Sequence, residues 1–407
     1  MTEKKRFLTK DLKLFLSLVV WMLVPSIYML VRMKIVSTNN VDINILGQLE
    51  WFDLIDEVIT TMLIVPLYSI LKKYYSKYQN GIALLTSLII YFLFTIIIVV
   101  HIFQISEFMN AEYAKDYLLL QSISLILSFV LTFVILLLTI NSDYTLVWAL
   151  IMIKVILLSV FDYVLINKYK DLGAAYSEIL VNGVLSLFAV CFIIFKGYIG
   201  IKKVELSFFN EWFQVGKYAG IQIFLDNFIY AIMIVKMVNA VNESGNYWVA
   251  NNFIWGWLLV PVMCFAELIK KNNLISINFK NTWKYALLII ALWVITMPFW
   301  KIFIDKAMLM NSNEILPIVM LNMPFYLTYI VSAFIDDCFI SKGKTIYNML
   351  ISLIVNIVYY GIIYILFKRN IFTMDMRFII YMFGGGMVVH MILSILFYIM
   401  EHKKIKV

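Results

Sequence analysis

Seven ionisable side chains stand inside stretches that are otherwise apolar: Asp56, Glu57, Lys154, Asp162, Asp226, Asp336 and Asp337. A charge in hydrocarbon is costly, so each is expected to face a protein interior or a wet cavity, where it binds a cation or proton or is paired for structure. Glu50, Asp53, Glu57 and Thr60 recur at helical spacing, which puts them on one face with Asp56 beside them. Glu50 and Asp53 fall near the outer interface and are solvated there; Asp56 and Glu57 are deeper, where either cation coupling or structural pairing fits. Gln222, Asp226 and Tyr230 follow at i, i+4 and i+8, a polar ridge around a deep carboxylate with Asn227 at its side. Such a group serves as a sodium ligand, since sodium prefers oxygen donors, or as a proton acceptor. Asp336 and Asp337 lie close to Lys342, so coupling competes with simple solvation at a cytoplasmic mouth. Lys154 and Asp162 are buried by position, and Lys154 needs a partner to offset its desolvation. Asp56 and Glu57 are the candidates. Asn251 and Asn252, flanked by Tyr247, Trp248, Trp255 and Trp257, offer hydrogen bonds and π faces without net charge, which suits an amphipathic or cationic ligand. An interfacial tryptophan belt is the competing reading, and it applies most to Trp248.

The elements that must hold these residues follow from composition. Of 407 residues 63% are hydrophobic and 14% charged, more oil than a soluble core of this size needs, so the chain reads as an all-α polytopic membrane protein of about 12 transmembrane helices. The first span is expected at 13–36, the second at 50–71, the fifth at 144–166, the seventh at 217–240, the eighth at 247–269, the tenth at 315–340 and the last at 378–400. The second and eighth are the least apolar, and hydropathy alone can miss them. They are kept because loop charge balances only if they cross. Lys4, Lys5, Arg6, Lys72, Lys73, Lys77, Lys202, Lys203, Lys270, Lys271 and Lys403 then fall on one side, which puts both termini in the cytoplasm of a cell-membrane protein. The net charge of +8 follows from that asymmetry, and no nucleic-acid partner is required. The first apolar stretch runs too long for a removable signal and is expected to stay.

A polar cytoplasmic connection separates two halves, expected as lobes at 1–195 and 217–407 joined by a linker at 196–216 whose stretch 204–215 fits an interfacial helix. The halves look like copies. Ile27, Tyr28, Lys34 and Val36 match Ile229, Tyr230, Lys236 and Val238 at one offset; 51–66 matches 246–261 at another, aligning Pro66 with Pro261 and Asp56-Glu57 with Asn251-Asn252. Six spans per half make this a parallel repeat, the plan of alternating-access transporters.

The stretch 212–241 (WFQVGKYAGIQIFLDNFIYAIMIVKMVNAV), with an interfacial segment, a glycine and a polar-studded seventh helix, resembles the start of the second half in the MATE family of multidrug and toxin extruders. That family belongs to a superfamily that includes lipid-linked oligosaccharide flippases. The resemblance implies an acidic cation-site residue at Asp226 and a cation-binding aspartate at Asp336 or Asp337. Two departures stand out: the first span has no acidic residue of the kind some members use for coupling, and the second span is unusually acidic. The function this implies is a cation-coupled antiporter, using sodium or protons, that exports small amphipathic or cationic compounds as a monomer, with no other cofactor. A lipid-linked oligosaccharide or polysaccharide flippase is the alternative on the same fold.

Other classes fit less well. A membrane enzyme such as a glycan polymerase or acyltransferase needs a larger outward loop or a histidine-centred acid/base set. No Walker-type phosphate loop is present, and the loop 72–81 (KKYYSKYQNG) lacks the major-facilitator signature. Cys191, Cys264 and Cys338 read as packing residues without a disulfide, and His390 as a satisfied packing histidine. Gly384-Gly385-Gly386 and Pro25, Pro66, Pro261 and Pro324 read as ordinary features of membrane helices rather than hinges.

Overall fold

The computed structural model describes residues 3–74, 76–141, 143–200, 206–271, 279–341, 344–369 and 371–404. Lys202, Lys203 and Lys342, and the first two residues of the expected interfacial helix, lie outside them. So do the side chains of Lys4, Lys5, Arg6, Lys72, Lys73, Lys270, Lys271 and Lys403.

The described residues are helical almost throughout. They form α1 (Glu3–Thr38), α2 (Ile43–Gly47), α3 (Leu49–Tyr74), α4 (Lys77–Phe108), α5 (Lys115–Ile140), α6 (Tyr144–Tyr169), α7 (Asp171–Phe195), α8 (Leu206–Tyr230) and α9 (Lys236–Ala240). Then come α10 (Ser244–Phe253), α11 (Val260–Lys271), α12 (Phe279–Ile302), α13 (Ser312–Ser341), α14 (Thr345–Leu353), α15 (Tyr360–Lys368) and α16 (Met376–Lys404). Ten helical stretches are long and apolar enough to cross a membrane, and a pair bent by 51°, Ser244–Leu258 with Val260–Ala266, makes an eleventh. The twelfth is α3, at 26 residues long enough to span but carrying the acidic stripe. The second span is thus the one that apolarity alone fails to recognise, whereas the eighth is apolar enough and is set apart by its bend.

Several spans are interrupted by π turns: Ala231–Val235 between α8 and α9, Ile254–Leu258 between α10 and α11, Phe303–Met308 after α12, and Ile354–Tyr359 between α14 and α15. A π turn breaks the i→i−4 ladder and leaves carbonyls for other donors. The bend before α11 shows how they are used. Pro261 lacks an N–H, so the carbonyls one turn above it are released; that of Gly256 accepts from Ser26 Oγ at 2.7 Å, and that of Leu258 from Trp293 Nε1 at 2.9 Å. Around Pro66 in α3 the Leu63 carbonyl likewise accepts from Trp212 Nε1 at 2.9 Å. Leu63 and Leu258 are the same position in the sequence repeat that aligns Pro66 with Pro261.

Backbone contacts gather the chain into two compact units, residues 1–34 with 241–407, and residues 35–240. Division by chain order at 195 and 217 instead groups residues 1–34 with the first half and 217–240 with the second. The fastenings give the reason. Ser26 of α1 is bonded to Gly256, while α8 is tied to α3 through Trp212 and through Asn227, whose Nδ2 donates to the Leu54 carbonyl at 3.0 Å.

Within the 35–240 unit, α5 is central and packs on α3, α4, α6 and α7, while α8 packs along α3. A buried knot holds α9: Gln48 Nε2 donates to Asn239 Oδ1 at 3.1 Å, and Asn239 Nδ2 returns a bond to Gln48 Oε1 at 2.9 Å and reaches the Met109 carbonyl at 2.7 Å. Trp51 Nε1 also donates to Gln48 Oε1 at 2.9 Å. In the other unit, α13 is central and packs on α10, α11, α12, α14 and α16. The triple glycine of α16 makes room for aromatic rings: a side chain at Gly384 would run into the Phe325 ring, and at Gly385 and Gly386 into the hydroxyls of Tyr359 and Tyr360.

Candidate functional site: intramembrane carboxylates and an aromatic cavity

In the 35–240 unit the acidic stripe of α3 divides by depth. Asp53 and Glu57 are exposed and Asp56 is half-buried. Asp56 Oδ1 accepts from Thr60 Oγ1, one turn on, at 3.1 Å and from the Tyr91 hydroxyl of α4. The Lys154 ammonium of α6 lies within Coulombic reach of the same carboxylate. Asp56 therefore has two hydroxyls and a cation around it. Tyr91 is the residue that sequence reading missed, and a signal existed: Ser87, Tyr91 and Thr95 recur every four residues on the buried face of an otherwise apolar helix.

Glu57 has a different partner. Its Oε2 accepts from Asn227 Nδ2 of α8 at 2.9 Å. Asn227 is adjacent to Asp226, so the ridge of Gln222, Asp226 and Tyr230, all half-buried, lies on the helix that joins the acidic face of α3. Gly216 and Gly220 permit the approach, since a Cβ at either would press on Met62 of α3. Asp162 is buried in α6, and Ser177 of α7 donates to its Oδ1. With Lys154 acting on Asp56 and Asp162 held by Ser177, the two residues assigned to charge pairing go to separate neighbours.

In the other unit Asp336 of α13 holds two side chains of α16. Its Oδ2 shares a 2.7 Å hydrogen bond with His390 Nε2, and its Oδ1 accepts from Ser394 Oγ at 2.9 Å. Side-chain exposures of 31% for His390 and 20% for Asp336 leave the pair partly exposed. His390 is thus a partner for a carboxylate rather than a bystander in packing. No feature of the sequence gave this pairing, since 54 residues separate the two. Asp337, next to Asp336, is buried. Nearer the chain's end Glu401, also buried, is paired with Lys344 and accepts from the Tyr347 hydroxyl at 2.6 Å.

The bend between α10 and α11 opens a cavity of about 240 Å³ lined by Pro25, Ser26, Met29, Leu30 and Met33 of α1 with Asn252, Trp255, Gly256, Trp257 and Met308. Asn252, Trp255 and Trp257, the sequence candidates for a substrate site, come together here. Trp255 is held edge-on by Tyr326 and Tyr329, at 6.0 and 5.4 Å between centroids, and Trp257 by Phe303 at 5.0 Å. Asn251 is buried in α10 and is not part of this wall, and Gln222 and Tyr230 belong to α8 of the other unit. Trp248 and Tyr247 are buried too, so an interfacial belt does not describe Trp248. Cys264 and Cys338 are buried free thiols, whereas Cys191, expected to pack, is exposed. Among the described residues no group of three His, Cys, Asp or Glu side chains gathers as a metal-ligand set.

No family model matches the sequence, and no curated protein does either. Solved structures do. An inward-facing multidrug resistance MATE transporter of the MOP superfamily superposes with a TM-score of 0.74 at 16% identity, over 94% of this chain and 95% of that one. The fold is that of the MATE multidrug transporters. A Vibrio cholerae MATE transporter follows at a TM-score of 0.66 and 15% identity over 98% of both chains. A MOP-superfamily transporter of Pyrococcus furiosus, described as having a binding pocket of reversed polarity, reaches 0.56 at 15% identity over 98% and 97%. Each embedded cation has its own surroundings. Arg32 is buried with its guanidinium 5.2 Å from the Tyr28 ring centroid, and Lys34 is exposed. Lys154 acts on Asp56, and Lys236 lies 3.4 Å from the centroid of Phe108.

Proposed function

We propose that this integral membrane protein is a cation-coupled antiporter that exports small amphipathic or cationic compounds by alternating access, as a monomer with both termini in the cytoplasm. The observation that carries the reading is the Asp336, His390 and Ser394 cluster inside a fold shared with multidrug transporters. A carboxylate hydrogen-bonded to an imidazole takes up one proton and thereby changes the pair from net negative to net neutral, a change that lowers the cost of closing the site away from water. Protons are therefore the preferred coupling ion at this corner, with sodium a candidate at the oxygen-rich ridge around Asp226. The cavity under Trp255 and Trp257 supplies methionine sulfurs, indole faces and one amide, which suits polarisable aromatic compounds and brings no charge that would reject a cation.

A flippase of lipid-linked oligosaccharides needs several cations turned toward one cavity to neutralise a pyrophosphate. Burial of Arg32 against Tyr28 and the engagement of Lys154 with Asp56 speak for the antiporter. The protein acts as a transporter and not as an enzyme. The test is efflux of a fluorescent cationic dye from loaded proteoliposomes under an imposed proton or sodium gradient. Gradient-dependent efflux is expected; dye retention under both gradients, in vesicles that take up a labelled lipid-linked glycan, overturns the reading.

A further inference from the structure

A second cavity, of about 210 Å³, lies in the 35–240 unit where α3, α4 and α8 meet. Its floor is Met62 and Leu63, one turn before Pro66, one wall is Thr86 and Ile90 of α4, and the other is Trp212 and Phe213 of α8. Two features make it a built groove. The Trp212 indole is fixed by its bond to the Leu63 carbonyl, and Gly216 keeps α8 close to α3, where any Cβ would meet the Met62 carbonyl oxygen. The one charge in its lining is Lys217, whose ammonium lies 6.0 Å from the Phe213 ring centroid. Phe213 and Ile90 are 61% and 36% exposed, so the groove opens sideways.

Depth decides what can fill it. Thr86 lies nine residues from the start of α4 at Lys77, and Leu63 eleven from the end of α3 at Tyr74. At about 1.5 Å per residue both are roughly 14–17 Å from the helix ends that carry the basic cytoplasmic loops. Lys217 follows three turns after the start of α8 on the same side. An apolar slot at acyl-chain depth in the inner leaflet, with a lysine whose stem can carry its charge toward the headgroups, fits one occupant.

We propose that this groove is a binding site for an anionic phospholipid of the cytoplasmic leaflet, one acyl chain lying on Met62 and Ile90 between the aromatic rings and the phosphate taken by Lys217. Charge complementarity favours it, because basic groups between helices on the cytoplasmic side recognise anionic headgroups. The site shares no residue with the carboxylate clusters or with the cavity at Trp255, and it needs no particular substrate.

Native mass spectrometry of the full chain in detergent tests it, with phosphatidylglycerol and phosphatidylcholine of identical acyl chains titrated separately. The first phosphatidylglycerol is expected to bind about fivefold more tightly than the first phosphatidylcholine, the contribution of one lysine near the surface. Lys217→Gln should bring the two lipids to equal affinity, while Lys196→Gln, whose ammonium lies beside Phe192, should leave the preference intact. Ile90→Trp, which fills the slot from its open side, should weaken both lipids. Equal binding of the two lipids to the wild type, or an unchanged preference in Lys217→Gln, overturns the proposal. Loss of the preference in Lys196→Gln as well assigns it to general surface charge, which also overturns it.

Discussion

His390 is the residue whose replacement reads the coupling mechanism most directly. His390→Gln keeps a hydrogen-bonding group of similar length but removes the titratable ring, leaving Asp336 with Ser394 alone. A charge-assisted hydrogen bond is worth about 1.5–3 kcal/mol, and the partial exposure of the pair places this one near the lower end. Since about 1.4 kcal/mol is a factor of ten, proton-driven efflux should fall about tenfold. Ser394→Ala removes the weaker contact, of about 1 kcal/mol, and should cost about fivefold. Asp336→Asn should abolish proton-driven efflux, and adding His390→Gln to it should do no further harm, because the site is already lost. The assay is dye efflux from proteoliposomes under a pH gradient, with melting temperature in detergent as the control for folding. Wild-type efflux in His390→Gln, or a double variant whose losses multiply, would refute the idea that the two residues act as one site.

Three further outcomes are expected. Lys154→Met and Asp56→Asn should each lower stability by about 1–2 kcal/mol with a coupling of about 1 kcal/mol in a double-mutant cycle followed by thermal unfolding, whereas Lys154→Met with Glu57→Gln should be additive, because Glu57 is exposed and bonded to Asn227. Gln48→Leu should destabilise more than Asn239→Leu, at about 1–3 kcal/mol for each orphaned polar group, since it strands the Trp51 indole and the Asn239 amide together; equal melting temperatures would argue against the knot. Gly384→Ala should cost about 1–3 kcal/mol by pressing on the Phe325 ring, and Phe325→Leu should recover part of that loss, with unfolding midpoints as the readout.

Much of this was legible in the sequence because a bilayer imposes one-dimensional rules. Span length and the cost of charge in hydrocarbon act along the chain, so the helical ladder, the low apolarity of the second span and the set of suspect ionisable residues could be read without a structure. Leu63 and Leu258, which the expected repeat aligns, each accept from an indole. Partners were not legible, because they are chosen where helices distant in sequence come side by side. Asp56 rather than Glu57 takes Tyr91 because of how α3 is rotated against α4, and Asp336 meets His390 across 54 residues. Depth along each helix belongs to the sequence; azimuth, and with it the chemistry each carboxylate can perform, is set by packing alone.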